Sequence, residues 1–141
     1  YWYKGRIYGT EIVRGLDVLE LVPSEHLSEN EIAAAAVADQ GELFNPQQQF
    51  RVTWPAEPVV ARAYVDQLAR GKALSATEVG DLDAALNLAD SRLKDGKKDG
   101  DLSAKLESLA NAVGRGEGDA LSAKRRASLA ETLGGIATRL R

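Results

Sequence analysis

Apolar side chains recur at steps of three and four positions in four segments of the second half of the chain. The clearest segment spans residues 75–93, where the repeat predicts one amphipathic helix with a buried face of Val79, Leu82, Leu86, Ala89 and Leu93. Ser75 and Glu78 have the spacing of a capping box, and Asp95-Gly96 is a stop signal because glycine adopts the left-handed conformation at little cost. An isolated helix of this length is marginal in water, so it must pack against neighbours.

Three other segments carry the same repeat. The first helix is predicted to begin around Pro58, which a first turn tolerates, and to end at Gly71. Asp101 is predicted to cap the next helix, and the last one begins near Ser122 and crosses the weakening pair Gly134-Gly135. The expected apolar faces are Val60, Tyr64 and Leu68; Leu102, Leu106, Leu109 and Val113; and Leu129, Leu133, Ile136 and Leu140. Because short loops join these helices, residues 58–141 are predicted to form an antiparallel four-helix bundle.

The first 21 residues have the pattern of short strands. Aromatic and branched residues group around Trp2, Ile7 and Val18, and Gly5, Gly9 and Gly15 separate the groups. Two or three strands with tight turns are therefore predicted, as the terminal β segment of residues 1–22. Because so small a sheet is marginally stable in water, we expect it to pair with a sheet supplied by the rest of the parent protein. The predicted fold class is thus mainly α, with short N-terminal strands.

Residues 23–57 are predicted to be a connector with one short helix near 28–39. Ser28 and Glu31 form a second capping box, before a helix expected over residues 32–38. Prolines and three consecutive glutamines interrupt any repeat beyond it. The spaced apolar residues indicate a connector held against a domain surface, and the last three alternate as in a short strand: Phe44, Phe50, Val52 and Trp54.

Composition excludes several functional classes. A net charge of −3 argues against a nucleic-acid binder, and the lack of cysteine removes disulfides, thiol catalysis and cysteine-ligated zinc. No run of eighteen apolar residues is available to span a membrane. Methionine is also absent, including at position 1, and the chain opens on Tyr1-Trp2-Tyr3. We therefore expect a C-terminal fragment that begins inside a β-sheet.

Two resemblances extend this interpretation. The pattern Gly5-x-Ile7-Tyr8, followed by Gly15-Leu16-x-Val18-Leu19-x-Leu21, resembles one unit of the LVIVD-repeat β-propellers of bacterial and archaeal surface and secreted proteins. Glu20 lies inside the apolar run and Val22-Pro23 follows it, as expected of an atypical terminal unit. The resemblance covers about the first third of the chain, and it implies the end of a propeller-like sheet and a secreted or cell-surface location.

The second half is similar to the FIMAH domain, a small extracellular helical module of bacterial multidomain proteins. The shared features are a helix, a glycine-containing loop, a leucine- and alanine-rich helix ending in a Lys-Gly type of turn, and a further helix before a late Leu-Ser cap. In this sequence they correspond to the segments VDQLARGKALS, LDAALNLADSRLKDGK and LSAKLESLANAVGRGEGDALS. Neither family assigns catalytic positions that transfer to this chain.

Three charged groups are candidates for chemistry. Residues 95–101 alternate acidic residues with glycines, but an EF-hand loop starting at Asp95 requires ligands where Lys97 and Leu106 stand, so an inter-helix turn is the preferred interpretation over a calcium site. Lys124-Arg125-Arg126 is either an anion site or a solvated face, and the start of a helix disfavours cations. His26, the sole histidine, lacks the convergent partners of a general base or metal site.

The aromatic residues Tyr1, Trp2, Tyr3 and Tyr8 suit either a ligand platform, for carbohydrate for example, or packing inside a sheet. Glu11, Arg14 and Asp17 lie beside them and would line the rim of an intact propeller, where a site would be sought first. A small-molecule pocket between the helices has only Tyr64 as a polar group among the apolar positions. No catalytic, cofactor or metal residue is therefore assigned.

The sequence predicts a non-enzymatic interaction, assembly or spacer module at the C-terminal end of a secreted or surface bacterial propeller protein. Its expected partners are the upstream propeller domain and either a second copy or another surface protein. The alternative is an accessory region of an enzyme or ligand-binding propeller whose site lies upstream of residue 1.

Overall fold

The structure, a computed structural model, describes residues 2–3, 5–39 and 52–141. In these residues the chain is mainly helical, with a small N-terminal sheet, as predicted. It divides into two compact units, Tyr1–Pro55 and Ala56–Arg141. The division of the chain at residues 22 and 57 remains a prediction.

The first unit contains a three-stranded antiparallel sheet. Its strands are β1 (Trp2–Tyr3), β2 (Arg6–Glu11) and β3 (Gly15–Glu20), in the spatial order β1-β2-β3. Gly5 lies immediately before β2 and has a φ angle of 79°, and Gly15 is the first residue of β3 and has a φ angle of 95°. Residues other than glycine adopt this left-handed backbone conformation only at a cost in free energy. The prediction of short strands and tight turns in residues 1–21 is thus confirmed.

Helix α1 (Glu29–Ala36) follows the sheet. Both bonds of its capping box form, because Ser28 Oγ accepts the N–H of Glu31 at 3.1 Å and the Glu31 carboxylate accepts the N–H of Ser28 at 2.7 Å. The helix was predicted over residues 32–38 but begins three residues earlier and ends at Ala36. It begins earlier because the three residues that follow the cap Ser28 already belong to the first turn. In the connector, Asp39 and Thr53 form an isolated antiparallel bridge. The predictions on Phe44, Phe50 and the glutamines 47–49 lie outside the described residues.

The second unit begins with α2 (Pro58–Arg70) and α3 (Ala76–Lys94). Pro58 is the first residue of α2 and Gly71 its C-cap, as predicted. Helix α3 has Ser75 as N-cap with both capping-box bonds to Glu78 present, and Gly96 follows it with φ 65°. The predicted face of α3 is confirmed at Leu82, Leu86 and Ala89, which are buried, while Val79 and Leu93 are partly buried against the same core.

Helices α4 (Gly100–Gly114) and α5 (Ala120–Leu140) begin earlier than predicted. The cap of α4 is Asp99 and not Asp101, because the Asp99 carboxylate accepts the N–H of Leu102 at 3.0 Å. The cap of α5 is Asp119, whose carboxylate accepts the N–H of Ser122 at 2.7 Å, so the helix begins at Ala120, slightly before the predicted start near Ser122. Helix α5 continues across Gly134-Gly135, as predicted.

One hydrophobic core joins α2, α3, α4 and α5. Its fully buried leucine and isoleucine side chains are Leu68, Leu82, Leu86, Leu106, Leu129, Leu133, Ile136 and Leu140. Ser103 is buried among them and donates its hydroxyl to the carbonyl of Ala137 at 2.8 Å, so this polar group is satisfied. Tyr64 and Leu109, predicted on the apolar faces, are partly buried at the edge of this core.

Candidate interaction surface

The hairpin formed by β2 and β3, residues 6–20, carries several large hydrophobic side chains that are exposed to solvent. Opposed residues of an antiparallel pair share a face, and neighbours along a strand alternate. Val18 lies opposite Tyr8 and Leu16 opposite Thr10 on one face, whereas Leu19 lies opposite Ile7 on the other. Leu16, Val18 and Leu19 are 58%, 51% and 54% exposed. Both faces of β3 therefore present aliphatic side chains to solvent.

The outer edge of β3 is open as well. In residues 2–3, 5–39 and 52–141, β3 pairs with β2 and with no other strand. A six-residue edge with aliphatic side chains on both faces is a template for pairing with a further strand. The hairpin thus offers an edge and two faces to a partner.

The tip of the hairpin, defined here as Ile12 and Val13, protrudes beyond the last paired residues, Glu11 and Gly15. Ile12 is 104% exposed and Val13 is 87% exposed, the highest values among the large exposed hydrophobic side chains of the described residues. Turn positions usually carry glycine, proline, asparagine, aspartate or serine, so two adjacent β-branched aliphatic residues are out of place there.

A charged triad, defined as Glu11, Arg14 and Asp17, surrounds the tip. The Arg14 guanidinium donates from Nε to Glu11 Oε2 at 2.8 Å and from Nη2 to Asp17 Oδ2 at 3.2 Å. The sequence singled out these three residues as a possible rim, and the structure brings them together. All are substantially exposed, so the ion pairs are well solvated and contribute little to stability.

The aromatic residues do not share one face. Trp2 lies opposite Ile7, whereas Tyr3 lies opposite Arg6 and therefore on the same face as Tyr8. Trp2, Tyr3 and Tyr8 are each half-buried, and Tyr1 lies outside the described residues. This arrangement favours packing within a sheet over a single ligand platform.

A shallow groove of about 360 Å³ lies between the base of the hairpin and α1. Arg6, Glu20 and Glu29 provide its charged groups, and Ile32, Ala33 and Ala36 provide apolar lining. Arg6 and Glu20 approach each other at 3.8 Å across the strands. The groove therefore combines a small apolar lining with charged side chains that are exposed to solvent. Its lining residues do not form a catalytic arrangement.

The other candidate residues are not assembled into a site. His26 has an exposed side chain whose Nε2 is 3.4 Å from Glu25 Oε1. In the former calcium candidate, Asp95 pairs with Lys97 at 2.9 Å and Asp99 accepts from Arg92 Nε at 3.0 Å. Across the described parts of the chain, no group of three or more metal-ligating side chains converges.

Arg126 departs from the predicted solvated basic face. Lys124 is exposed and Arg125 half-buried, but Arg126 is only 6% exposed. Its guanidinium donates to the carbonyls of Val113 and Ala73, and it lies against Gly116. Val113 lies in the last turn of α4, where the helix dipole favours a cation, and Ala73 lies in the connection after α2, so the buried guanidinium links these two segments. Gly116, which leaves room beside it, is the one signal in the sequence.

Comparison with protein-family models, curated proteins and solved structures finds no match. Among the described residues, no helix is both long and apolar enough to cross a membrane. The hairpin geometry therefore provides the functional argument.

Proposed function

We propose that this chain is the non-enzymatic C-terminal module of a secreted or cell-surface bacterial β-propeller protein. In this proposal residues 1–22 complete a sheet of the upstream propeller domain, and residues 58–141 form an antiparallel four-helix bundle that acts as a spacer or assembly domain.

The single observation that supports the β part is the exposure of aliphatic side chains on both faces of β3. A sheet with one solvated face alternates apolar and polar residues, whereas a sheet covered on both faces has near-continuous apolar runs. Leu16 and Val18 on one face and Leu19 on the other suit a sheet held between two layers. A propeller blade has such neighbours, and the open edge of β3 is free to accept a strand from the same blade.

The helical part is supported by its closed core. In residues 56–141, all of which are described, the large exposed hydrophobic side chains are Leu88 and Leu121. Scattered single residues of this kind are ordinary on a monomeric surface. This favours the spacer over assembly through the helices, and it predicts that the isolated helical segment is monomeric in size-exclusion chromatography with light scattering. A dimer would favour the assembly role instead.

The alternative, an accessory region of an enzyme or ligand-binding propeller, is supported by the charged triad at the end of the hairpin. Loops at strand ends are where binding residues concentrate. An activity present in the natural protein and absent from the 141-residue chain would favour this alternative.

The substitution Val18→Lys tests the β part of the proposal. In the 141-residue chain Val18 is half-exposed, so we expect the free energy of unfolding to change by no more than about 0.5 kcal/mol. In a natural protein that contains the upstream domain, the same lysine would be buried, and we expect a cost of about 2 kcal/mol or more. Urea unfolding of the parent and variant, in the 141-residue chain and in the natural protein, measures the two changes in the free energy of unfolding. Intact mass spectrometry of the natural protein shows whether sequence precedes Tyr1.

Leu88→Lys, on the exposed face of α3, is the matched control and is expected to have the same small effect in both proteins. Equal costs of Val18→Lys in both proteins, or a natural protein with nothing upstream of Tyr1, would contradict the proposal.

A further inference from the structure

Residues 95–100 contain both Asp-Gly pairs of the chain, Asp95-Gly96 and Asp99-Gly100. An aspartate followed by glycine is prone to spontaneous ring closure in the main chain, because glycine has no side chain to hinder attack and its backbone bends freely. At both glycines, the position of an added Cβ has no other part of the described chain within 4 Å. The two pairs are distinguished by how the fold holds each aspartate.

We infer that Asp95-Gly96 is a site of self-modification, at which aspartate converts to isoaspartate through a cyclic imide. The amide nitrogen of Gly96 attacks Cγ of the protonated Asp95 side chain. A C–N bond forms, and the carboxyl hydroxyl leaves with the amide proton as water. Water then opens the ring at either carbonyl and gives aspartate or isoaspartate, in which the main chain runs through Cγ. The reaction needs no enzyme and no oxidant.

Asp95 lies where the fold resists this reaction least. It is the C-cap of α3, its side chain is 48% exposed, and its carboxylate pairs with Lys97 Nζ at 2.9 Å. An exposed ion pair of this kind is weak, so it does little to hold the carboxyl group in place. The Gly96 N–H donates to the carbonyl of Leu93 at 3.2 Å, and this bond must open before the nitrogen attacks. The last turn of a helix opens at little cost, and opening also frees the backbone of Asp95 to rotate into the ring geometry.

Asp99 is held far more firmly. Its carboxylate accepts the N–H of Leu102 and the Nε of Arg92, each at 3.0 Å, and its own N–H donates to the carbonyl of Leu140 at 2.7 Å. Ring closure here would remove the cap of α4 and the contact with the end of α5. The Leu102 and Arg92 bonds also hold the pKa of Asp99 below its ordinary value. Because the hydroxyl leaves from the neutral acid, a carboxyl group that stays ionised reacts slowly.

Incubation of the 141-residue chain at mildly acidic pH, followed by tryptic digestion and mass spectrometry with electron-transfer fragmentation, tests the inference. Lys97 and Lys98 lie between the two aspartates, so separate peptides report them. We expect isoaspartate, and the imide as a form lighter by one water, to accumulate at Asp95 at least about tenfold faster than at Asp99, since a helix cap alone contributes a factor of about this size.

The same chain unfolded in guanidinium chloride is the first control, and both sites are expected to react there at similar rates. The folded chain is incubated until the unfolded one has reacted. Arg92→Ala is the second control, because it removes one donor to the Asp99 carboxylate. In this variant isoaspartate is expected to form severalfold faster at Asp99 and at an unchanged rate at Asp95. Equal rates at the two sites of the folded chain overturn the inference, as does a folded chain in which Asp95 does not react.

Discussion

At the scale of single residues, the most consequential side chain of the helical unit is Arg126. It is buried, and its guanidinium donates to the carbonyl of Val113, in the last turn of α4, and to that of Ala73, in the α2–α3 connection. Its Nε has no hydrogen-bond partner among the described residues. The guanidinium can link the end of α4 to the α2–α3 connection only if space is left beside it, and Gly116, which has no side chain, leaves that space.

Gly116→Ala is therefore expected to destabilise the helical unit by about 1–3 kcal/mol, since the added methyl group meets the Arg126 guanidinium and forces it out of place. Urea unfolding followed by circular dichroism measures the change.

Gly114→Ala is the control, because a methyl group there meets only the Ala130 side chain at an ordinary 3.8 Å. Gly114 is the last residue of α4, so this change is expected to be neutral or to stabilise by up to about 1 kcal/mol. In the Arg126→Ala background the cost of Gly116→Ala is expected to shrink, as residues in contact are not additive. An unchanged cost would show that the clash is elsewhere.

At the scale of elements, helix starts depend on carboxylates and hydroxyls at their N-termini. The bond from the Leu102 N–H, and then that from Arg92, hold the pKa of Asp99 below its ordinary value. The bond from the Ser122 N–H does the same for the pKa of Asp119, and bonds from Ser75 lower the pKa of Glu78. A lowered folded pKa gives stability that is present above the unfolded pKa and lost as the pH falls through the folded value.

Asp99→Asn tests this at one cap. Asparagine caps helices about as well as aspartate, but it cannot be ionised or pair with Arg92 as a charge. We expect the variant to be less stable than the parent at pH 7. The difference is expected to narrow as the pH falls below about 4, because the carboxylate is protonated first in the unfolded chain and only at lower pH in the folded one. Urea midpoints measured across this range give the result.

Asp101→Asn is the comparison, since Asp101 lies in the first turn of α4 but is not its N-cap. The difference between parent and Asp101→Asn is expected to change less with pH. A constant difference between parent and Asp99→Asn from pH 7 to pH 3 would contradict the role assigned to the carboxylate.

At the scale of the whole molecule, the periodicity of apolar residues predicted which segments form helices and strands. It predicted less well where these elements begin and which distant residues contact them. The faces of α2 to α5 follow from steps of three and four, and the hairpin from branched residues between glycines. Asp99 and Asp101 are both plausible caps in the sequence, and the choice depends on Arg92 and on the Leu140 carbonyl, which accepts the Asp99 N–H at 2.7 Å. The burial of Arg126 likewise depends on contacts that the local sequence does not show, above all the carbonyl of Ala73, 53 positions away. The exposed aliphatic faces and tip of the hairpin appear only once β2 and β3 are paired.

The central claim of the proposal is that the exposed aliphatic faces of the hairpin are covered by an upstream domain, whereas the helical unit has a closed core of its own. Amide hydrogen exchange, compared between the 141-residue chain and a natural protein that carries the proposed upstream domain, tests it most directly. We predict that amides of β3 exchange rapidly in the chain and slowly in the natural protein, while the core amides of α2 to α5 are equally protected in both. Equal exchange of β3 in the two proteins would contradict the claim.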